Sequence, residues 1–375
     1  MNALPLIPGT TRSLPGSLVL RCGLGLAALI VATAGAAQNS QPWNGPGIAA
    51  AQPVSASVPF PSTAGVQAVA MVGFTVSDMD RSVDFYTRVL DFDRVSDDEV
   101  LGPAYEQLHS IFGARLRVVR LRLGEEYLQL TEYLTPKGRP VPLDSRSNDR
   151  WFQHVAIIVS NMDQAYARLR RFKVQHASTG PQLLPKTIPG AAGIRAFYFK
   201  DPDGHPLEVL QFPRDKGDSK WRRPSNRLFL GIDHTAIVVR STRSSLAFYR
   251  DVLGLRVAGE SMNSGTEQEH LNNVQGARLR ITALRASRGP GIEFLEYLAP
   301  RDGRPYPADA RPNDLVHWQT TVLVPDASAA AGVVRRGRFR LLSTAPVELP
   351  DSTLGFTEGI LVKDPDGHVV QLAES

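Results

Sequence analysis

Apolar residues along this chain fall into short runs with two different periods. Val66–Val76 alternates like a strand, which predicts Val69, Met71, Gly73 and Thr75 on one face. Asp78 then stands at a helix-cap position, and Met79, Val83, Tyr86 and Leu90 follow as one helical stripe. Leu116–Leu123 and Tyr127–Tyr133 read as two more strands. A second unit begins with Phe152–Val159, continues through a helix near Met162–Phe172, and ends in strands Ile194–Lys200 and His205–Phe212. The Asp-Pro-Asp-Gly between those last strands favours a tight turn. The order then returns. Ile232–Val239, a helix over Ser244–Leu253 stopped by Gly254, and Ile292–Leu298 form a third unit. Thr320–Val324, a helix near Ala327–Arg335 and Glu358–Ala373 form a fourth. Four tandem βαβββ modules make an α+β protein.

The repetition extends to individual residues. Arg139-Pro-Val-Pro-Leu-Asp-Ser-Arg-Ser-Asn-Asp149 recurs as Arg304-Pro-Tyr-Pro-Ala-Asp-Ala-Arg-Pro-Asn-Asp314, and Asp201-Pro-Asp-Gly-His205 recurs as Asp364-Pro-Asp-Gly-His368. Gly113–Arg117 recurs as Gly276–Arg280. This is an internal duplication, so the two copies can be compared position by position.

Composition adds the limits. Of 375 residues, 42% are hydrophobic and 21% charged, as in a globular protein, and the length suits two domains. A net charge of +5 without a focused basic and aromatic patch gives no indication of nucleic acid. Arg12 and Arg21 precede the apolar run Gly23–Val31 and the small residues Ala32–Ala37, the pattern of a signal peptide over 1–37. Export to the periplasm or medium is therefore expected, with no membrane insertion after cleavage. Cys22, the sole cysteine, would leave with that segment, so no disulfide or thiol chemistry is expected. Residues 38–65, rich in Pro, Ala and Ser, read as a disordered tether. Domains are expected over 66–213 and 229–375, joined by the basic, solvated linker 214–228. A monomer is compatible with these features.

Two motifs carry a resemblance. Asp78-x-x-Arg-Ser-Val-Asp-Phe-Tyr86 after a first strand, and Asp201-Pro-Asp-Gly-His-x-x-Glu208 at the end of a unit, resemble the vicinal oxygen chelate superfamily. That group includes glyoxalase I, extradiol dioxygenases and bleomycin-resistance proteins. The resemblance spans about 66–375 and implies modules paired into two cupped, barrel-like, eight-stranded sheets. It also implies one ligand from the first and one from the last strand of each module. These positions hold Met71 and Gln129, His154 and Glu208, His234 and Glu293, and Gln319 and Gln371.

The second and third modules thus keep a His–Glu pair, and the first and fourth keep none. Pairing within halves would give Met/Gln/His/Glu and His/Glu/Gln/Gln sets. Pairing the second module with the third would gather His154, Glu208, His234 and Glu293, and is the arrangement favoured. Two imidazoles and two carboxylates suit one divalent ion such as Ni, Zn, Mn or Fe(II). Glu208 and Glu293 share strand faces with Leu210 and Leu295, where an unpaired carboxylate is costly. His317 could substitute as a ligand. His205 and His368 are expected to be solvated at their turns, and His109 and His270 are unplaced.

By the resemblance, such an ion would bind two neighbouring oxygens of a small substrate, and Glu208, with Glu293 as its symmetric partner, would move the proton between them. A glyoxalase-like lyase or isomerase is the leading reading. Glutathione is disfavoured as cosubstrate, because Val238 and Tyr297 stand where glyoxalase I has Arg and Asn. A non-catalytic, bleomycin-resistance-like binding protein is the first alternative. An extradiol dioxygenase is the second: Tyr198 fits that signature, but Pro189, Gly190 and Ala191 occupy the place of its histidine.

Overall fold

The computed structural model describes residues 63–374. The expected signal peptide and all but the last residues of the tether lie outside the described residues. Those last residues already belong to the fold, since Ala64 is buried and its N–H donates to Val252 O at 2.7 Å.

The first module comprises β1 (Ala68–Val76), α1 (Met79–Leu90), β2 (Asp93–Leu101), α2 (Pro103–His109), β3 (Arg115–Leu123) and β4 (Glu126–Thr135). The second comprises β5 (Gln153–Val159), α3 (Met162–Arg171), two-residue strands β6 (Gln175–His176) and β7 (Gln182–Leu183), β8 (Arg195–Lys200) and β9 (Pro206–Gln211). The third has β10 (Phe229–Val238), α4 (Thr242–Tyr249), β11 (Arg256–Ser264), α5 (Thr266–Asn272), β12 (Arg278–Arg285) and β13 (Gly291–Ala299). The fourth has β14 (Trp318–Leu323), α6 (Ala327–Arg336), β15 (Arg340–Leu341), β16 (Val347–Glu348), β17 (Glu358–Lys363) and β18 (Val369–Glu374).

Asp78 caps α1 as expected, its side chain accepting from Arg81 N at 3.0 Å. The helix expected over Ser244–Leu253 is shifted: Ser241 caps α4, and the chain leaves the helix after Tyr249 in turns that lead to Gly254 at φ +90°. β2 and β11 gave no apolar alternation because they are sheet edges, charged or polar and mostly exposed.

The sheets cross the halves. One runs β15-β17-β18-β14-β1-β4-β3-β2, the other β11-β12-β13-β10-β5-β9-β8-β6. Each is an eight-strand path, and β16 and β7 add a ninth, two-residue strand pairing with β17 and β8. The first module is therefore joined to the fourth through the antiparallel pair β1–β14, and the second to the third through β5–β10. Each of 66–213 and 229–375 contributes one module to each sheet. Helices α1 and α3 share one apolar core that includes strands of both sheets, and α4 and α6 share another.

The repeated loops clasp the halves together. Arg139 of the first copy ion-pairs with Asp314 of the second at 2.7 Å, and Arg304 of the second with Asp149 of the first at 2.7 Å. Both aspartates are buried and also accept from the backbone N–H of their arginine partners. The close approach requires glycine: a Cβ on Gly138 would lie 1.9 Å from Asn313 O, and one on Gly303 1.9 Å from Asn148 O.

The turn histidines are buried, not solvated. His205 places Nδ1 2.8 Å from Asp201 and Nε2 2.8 Å from Leu315 O, so both ring nitrogens face acceptors. Burial opposes its charge, but the Asp201 and Asp203 carboxylates outweigh it and raise its pKa. His368 reaches Val238 O at 3.0 Å. The His205 turn thus fastens the second module to the second half of the chain, and the His368 turn fastens the fourth module to the third.

Candidate metal and proton-transfer site

The four central strands of the second sheet, β13-β10-β5-β9, each contribute one predicted ligand: Glu293, His234, His154 and Glu208. In the antiparallel β5–β10 ladder, His154 faces Ala236 and His234 faces Ala156. An alanine opposite each histidine leaves room between the imidazoles, whose ring centroids are 5.8 Å apart. His154, Glu208 and His234 offer donor atoms that all lie within 4.8 Å of one another, a group that could hold a metal ion. Glu293 stands beside it. Its Oε2 is 3.4 Å from His234 Nε2, and its side chain is 23% exposed against 5% for Glu208.

The contacts inside this group are not ordinary hydrogen bonds. His154 Nε2 lies 3.2 Å from Glu208 Oε2, yet neither nitrogen of the buried His154 ring has a hydrogen-bond partner. A close but misaligned approach results when two ligand atoms are directed at a shared third point, so the donor set fits a cation.

His234 is held from behind. A register shift in β10 between Ile232 and His234 leaves Asp233 as an extra residue against β5. The resulting bulge lets the adjacent side chains meet, with Asp233 Oδ2 2.9 Å from His234 Nδ1. Arg285 donates to the same carboxylate at 2.9 Å and to Asp233 O at 2.7 Å. Burial would raise the Asp233 pKa, but His234 and Arg285 hold it far below the usual carboxylate range. Burial would lower that of His234, but Glu293, Asp233 and Glu208 push it up to about 9. A metal ligand oriented by a carboxylate on its other nitrogen is a recurrent arrangement.

The linker takes part in this support. Most of 214–228 is exposed as expected, but Trp221 Nε1 donates to Asp233 Oδ1 at 3.3 Å and Lys220 pairs with the buried Glu126. Glu126 in turn accepts from Ile232 N at 3.1 Å, next to the bulge.

The cluster opens into a cavity of about 130 Å³. Leu184, Ala191 and Ile194 line one side, and Ser261, Asn263 and Gln268 another. A larger cleft of about 230 Å³ by Trp151, Lys200 and Trp318 includes none of the four predicted ligands. Chemistry rather than volume therefore singles out the smaller one.

The other cup is closed. Gln319 Nε2 donates to Gln371 Oε1 at 2.8 Å, Thr321 Oγ1 to the same oxygen at 3.2 Å, and His317 Nε2 is 3.3 Å from Gln319 Oε1. His317 is thus held by an amide, away from the His–Glu group, and burial lowers its pKa to about 4. Leu349, Leu354 and Phe356 fill this cup, whereas the corresponding loop of the open one supplies Leu184, Ile188 and Ala191. The bulge recurs in β1 between Val69 and Met71, with Ala70 as its extra residue. It also turns Val69 onto the helix-facing core with Val322 and Val324, off the face of Met71 where alternation had put it. Ala70-Met71 therefore stands where the open cup has Asp233-His234. Ligand and supporting carboxylate are absent together. That comparison, available from the sequence, was the signal for Asp233. His109 is buried against the Tyr133 hydroxyl at 3.0 Å, and His270 is exposed.

Comparisons with known proteins bear on the family and the fold. The family profile described as Glyoxalase/Bleomycin resistance protein/Dioxygenase superfamily matches residues 68–209 and 231–372. A 2-epi-5-epi-valiolone epimerase from an Actinomyces species is 34% identical over 158 residues, 40% of this chain and 81% of that protein. Glyoxalase I from Zea mays superposes with a TM-score of 0.53 at 15% identity, covering 82% of this chain and 92% of that one. A putative dioxygenase from Bacillus subtilis gives 0.50 at 12% identity, covering 83% and 86%. At such identities the solved structures establish the fold alone. The profile spans both halves of the duplication, and the chain belongs to the Glyoxalase/Bleomycin resistance protein/Dioxygenase superfamily.

Proposed function

We propose that the cup built by the second and third modules is a metal-dependent proton-transfer site, acting as a lyase or isomerase on a small compound with adjacent oxygens. The observation that carries this reading is the convergence of His154, Glu208 and His234 in a cavity, with His154 Nε2 left without a hydrogen bond. His154, Glu208 and His234 would hold the ion, with Glu293 as a fourth ligand or a neighbouring base. A divalent ion bound there supplies Lewis acidity toward substrate oxygens, which acidifies the C–H beside them.

The chain's own groups then have distinct tasks. Asp233 fixes the His234 ring and leaves Nε2 to face the cavity. Glu293, more exposed and outside the mutually close group of the other three although near His234, would take the proton from carbon and return it. Resemblance alone had given that task first to Glu208, whose place within the donor group suits a ligand better. Leu184, Ala191 and Ile194 keep bulk water from one side of the cavity. The relative described as an epimerase is consistent with proton transfer at carbon.

Elemental analysis of the purified, chelator-free protein tests the reading. About one ion per chain, lost in His154→Ala and separately in His234→Ala, is expected, together with metal-dependent exchange of a substrate α-proton with deuterated solvent. A protein that retains no metal would instead be a binding module of the bleomycin-resistance kind. We further propose that the chain is exported after cleavage near Ala37, on the strength of its N-terminal pattern. Mass spectrometry of protein recovered outside the cytoplasm, with Met1 still present, would refute that.

A further inference from the structure

Opposite the ligand group, the open cup carries a row of uncharged polar side chains. Ser261 Oγ donates to Asn263 Oδ1, Asn263 Nδ2 to Gln268 Oε1 at 2.9 Å, and Gln268 Nε2 to Asn272 Oδ1. Asn263, Gln268 and Asn272 are buried; Ser261, Asn263 and Gln268 line the cavity, and Asn272 backs them beside the Tyr297 hydroxyl. Buried amides are costly unless their hydrogen bonds are met, and the fold keeps a bonded row of them here.

The duplication shows that β11 and α5 do not require this row. The counterparts of Ser261, Asn263, Gln268 and Asn272 are Asp98, Val100, Tyr105 and His109, on β2 and α2. Val100 and Tyr105 pack there in the apolar filling of the closed cup. The same framework therefore folds with Val100 and Tyr105 in place of Asn263 and Gln268. The amides accompany the His–Glu set and are missing where that set is missing.

Charge limits what such a wall can recognise. Among the described residues, no lysine or arginine lines this cavity, and Arg285 is already committed to Asp233. A phosphate or carboxylate on the substrate would meet no lysine or arginine there. Amides present N–H donors and C=O acceptors side by side, which matches hydroxyl groups, since these both donate and accept. A cavity of about 130 Å³ lies well below the ~300 Å³ at which drug-sized pockets begin, so the ligand is small.

We propose that the wall Ser261–Asn263–Gln268 is the substrate-recognition surface of this site, and that it selects small, uncharged, multiply hydroxylated carbonyl compounds over their phosphorylated or carboxylated forms. This rests on the proton-transfer reading above and names its substrate class.

The test is titration calorimetry on the Mn(II)-loaded protein. The probes are polyhydroxylated ketones of three to seven carbons, beginning with dihydroxyacetone and erythrulose, each compared with its phosphate ester or sugar-acid counterpart. The uncharged members should bind at least about tenfold tighter, the equivalent of one hydrogen bond. Gln268→Met and Asn263→Leu should each weaken that binding by about tenfold, while circular dichroism and metal content stay at wild-type values. The panel comparison uses the unaltered protein, so it decides the matter even if a variant fails to fold. A metal-loaded protein that binds the esters equally well or better, binds none of the ketones, or binds them undiminished in both folded variants overturns this inference alone. A wild-type protein that takes up no metal overturns the underlying reading instead.

Discussion

The Asp233 carboxylate lies 2.9 Å from Nδ1 of its chain neighbour His234, a contact that regular strand alternation forbids and the β10 bulge permits. It fixes which imidazole nitrogen faces the cavity. Asp233→Asn is isosteric but weakens that hold, and should reduce metal affinity by about 10–100-fold without unfolding the protein. Competition against a fluorescent chelator measures this. Affinity equal to wild type would show that the dyad is only structural.

Glu208 and Glu293 should separate by function. Glu208→Gln removes a member of the converging donor group and should lose the ion. Glu293→Gln should keep it and slow α-proton exchange by about 10²–10⁴-fold. Elemental analysis with deuterium exchange distinguishes them, and the reverse pattern would return the proton-transfer role to Glu208.

The clasp between halves should be worth more than a surface ion pair, because Asp149 is buried and accepts from both backbone and guanidinium donors. Asp149→Ala should cost on the order of 3 kcal/mol in urea denaturation. Gly303→Ala should be at least as damaging, since its Cβ would meet a carbonyl at 1.9 Å. Loss of less than about 1 kcal/mol in either would mean that the halves are held elsewhere.

Acid should destabilise the protein in two stages. Burial first, and then the charge of His317, lower the His109 pKa from 6.5 to about 3. The unfolded chain therefore binds a proton from pH 6.5 downward that the folded chain refuses until about 3, and His317 adds a similar contribution down to about 4. Asp149 and Asp314 act lower. Burial opposes their ionisation, but Arg304 and Arg139 hold their pKa values below 3.8, so their contribution is present above that value and lost as pH falls through the depressed ones. His109→Asn, which installs the residue of the counterpart position 272, should flatten the decline between pH 6.5 and 3. An unchanged slope in urea melts across that range would refute this.

The closed cup should behave as core. Phe356→Ala should cost about 3–5 kcal/mol, as deletion of a large buried ring does. It should leave metal content unaltered, because the open cup holds the donor group.

Much of the fold was legible because it rests on local rules. Alternation located the central strands, Asp78 and the stripe from Met79 to Leu90 located α1, and the repeated motifs revealed the duplication. β2 and β11 were invisible for a physical reason: an exposed edge has no buried face to mark in the sequence. The burial of His205 was equally hidden, since its acceptor Leu315 O lies 110 residues away.

The sequence by itself determined that four like modules exist, that His–Glu pairs survive only in the inner two, and that the halves share their turns and loops. Side-chain chemistry and spacing carry that much. Only the tertiary structure decided that β5 pairs with β10 and β1 with β14, because strand partnership across a long connection depends on which faces can be buried together. That pairing brings His154, Glu208 and His234 within reach of one another, lets a bulge place Asp233 behind His234, and fills the other cup with Phe356.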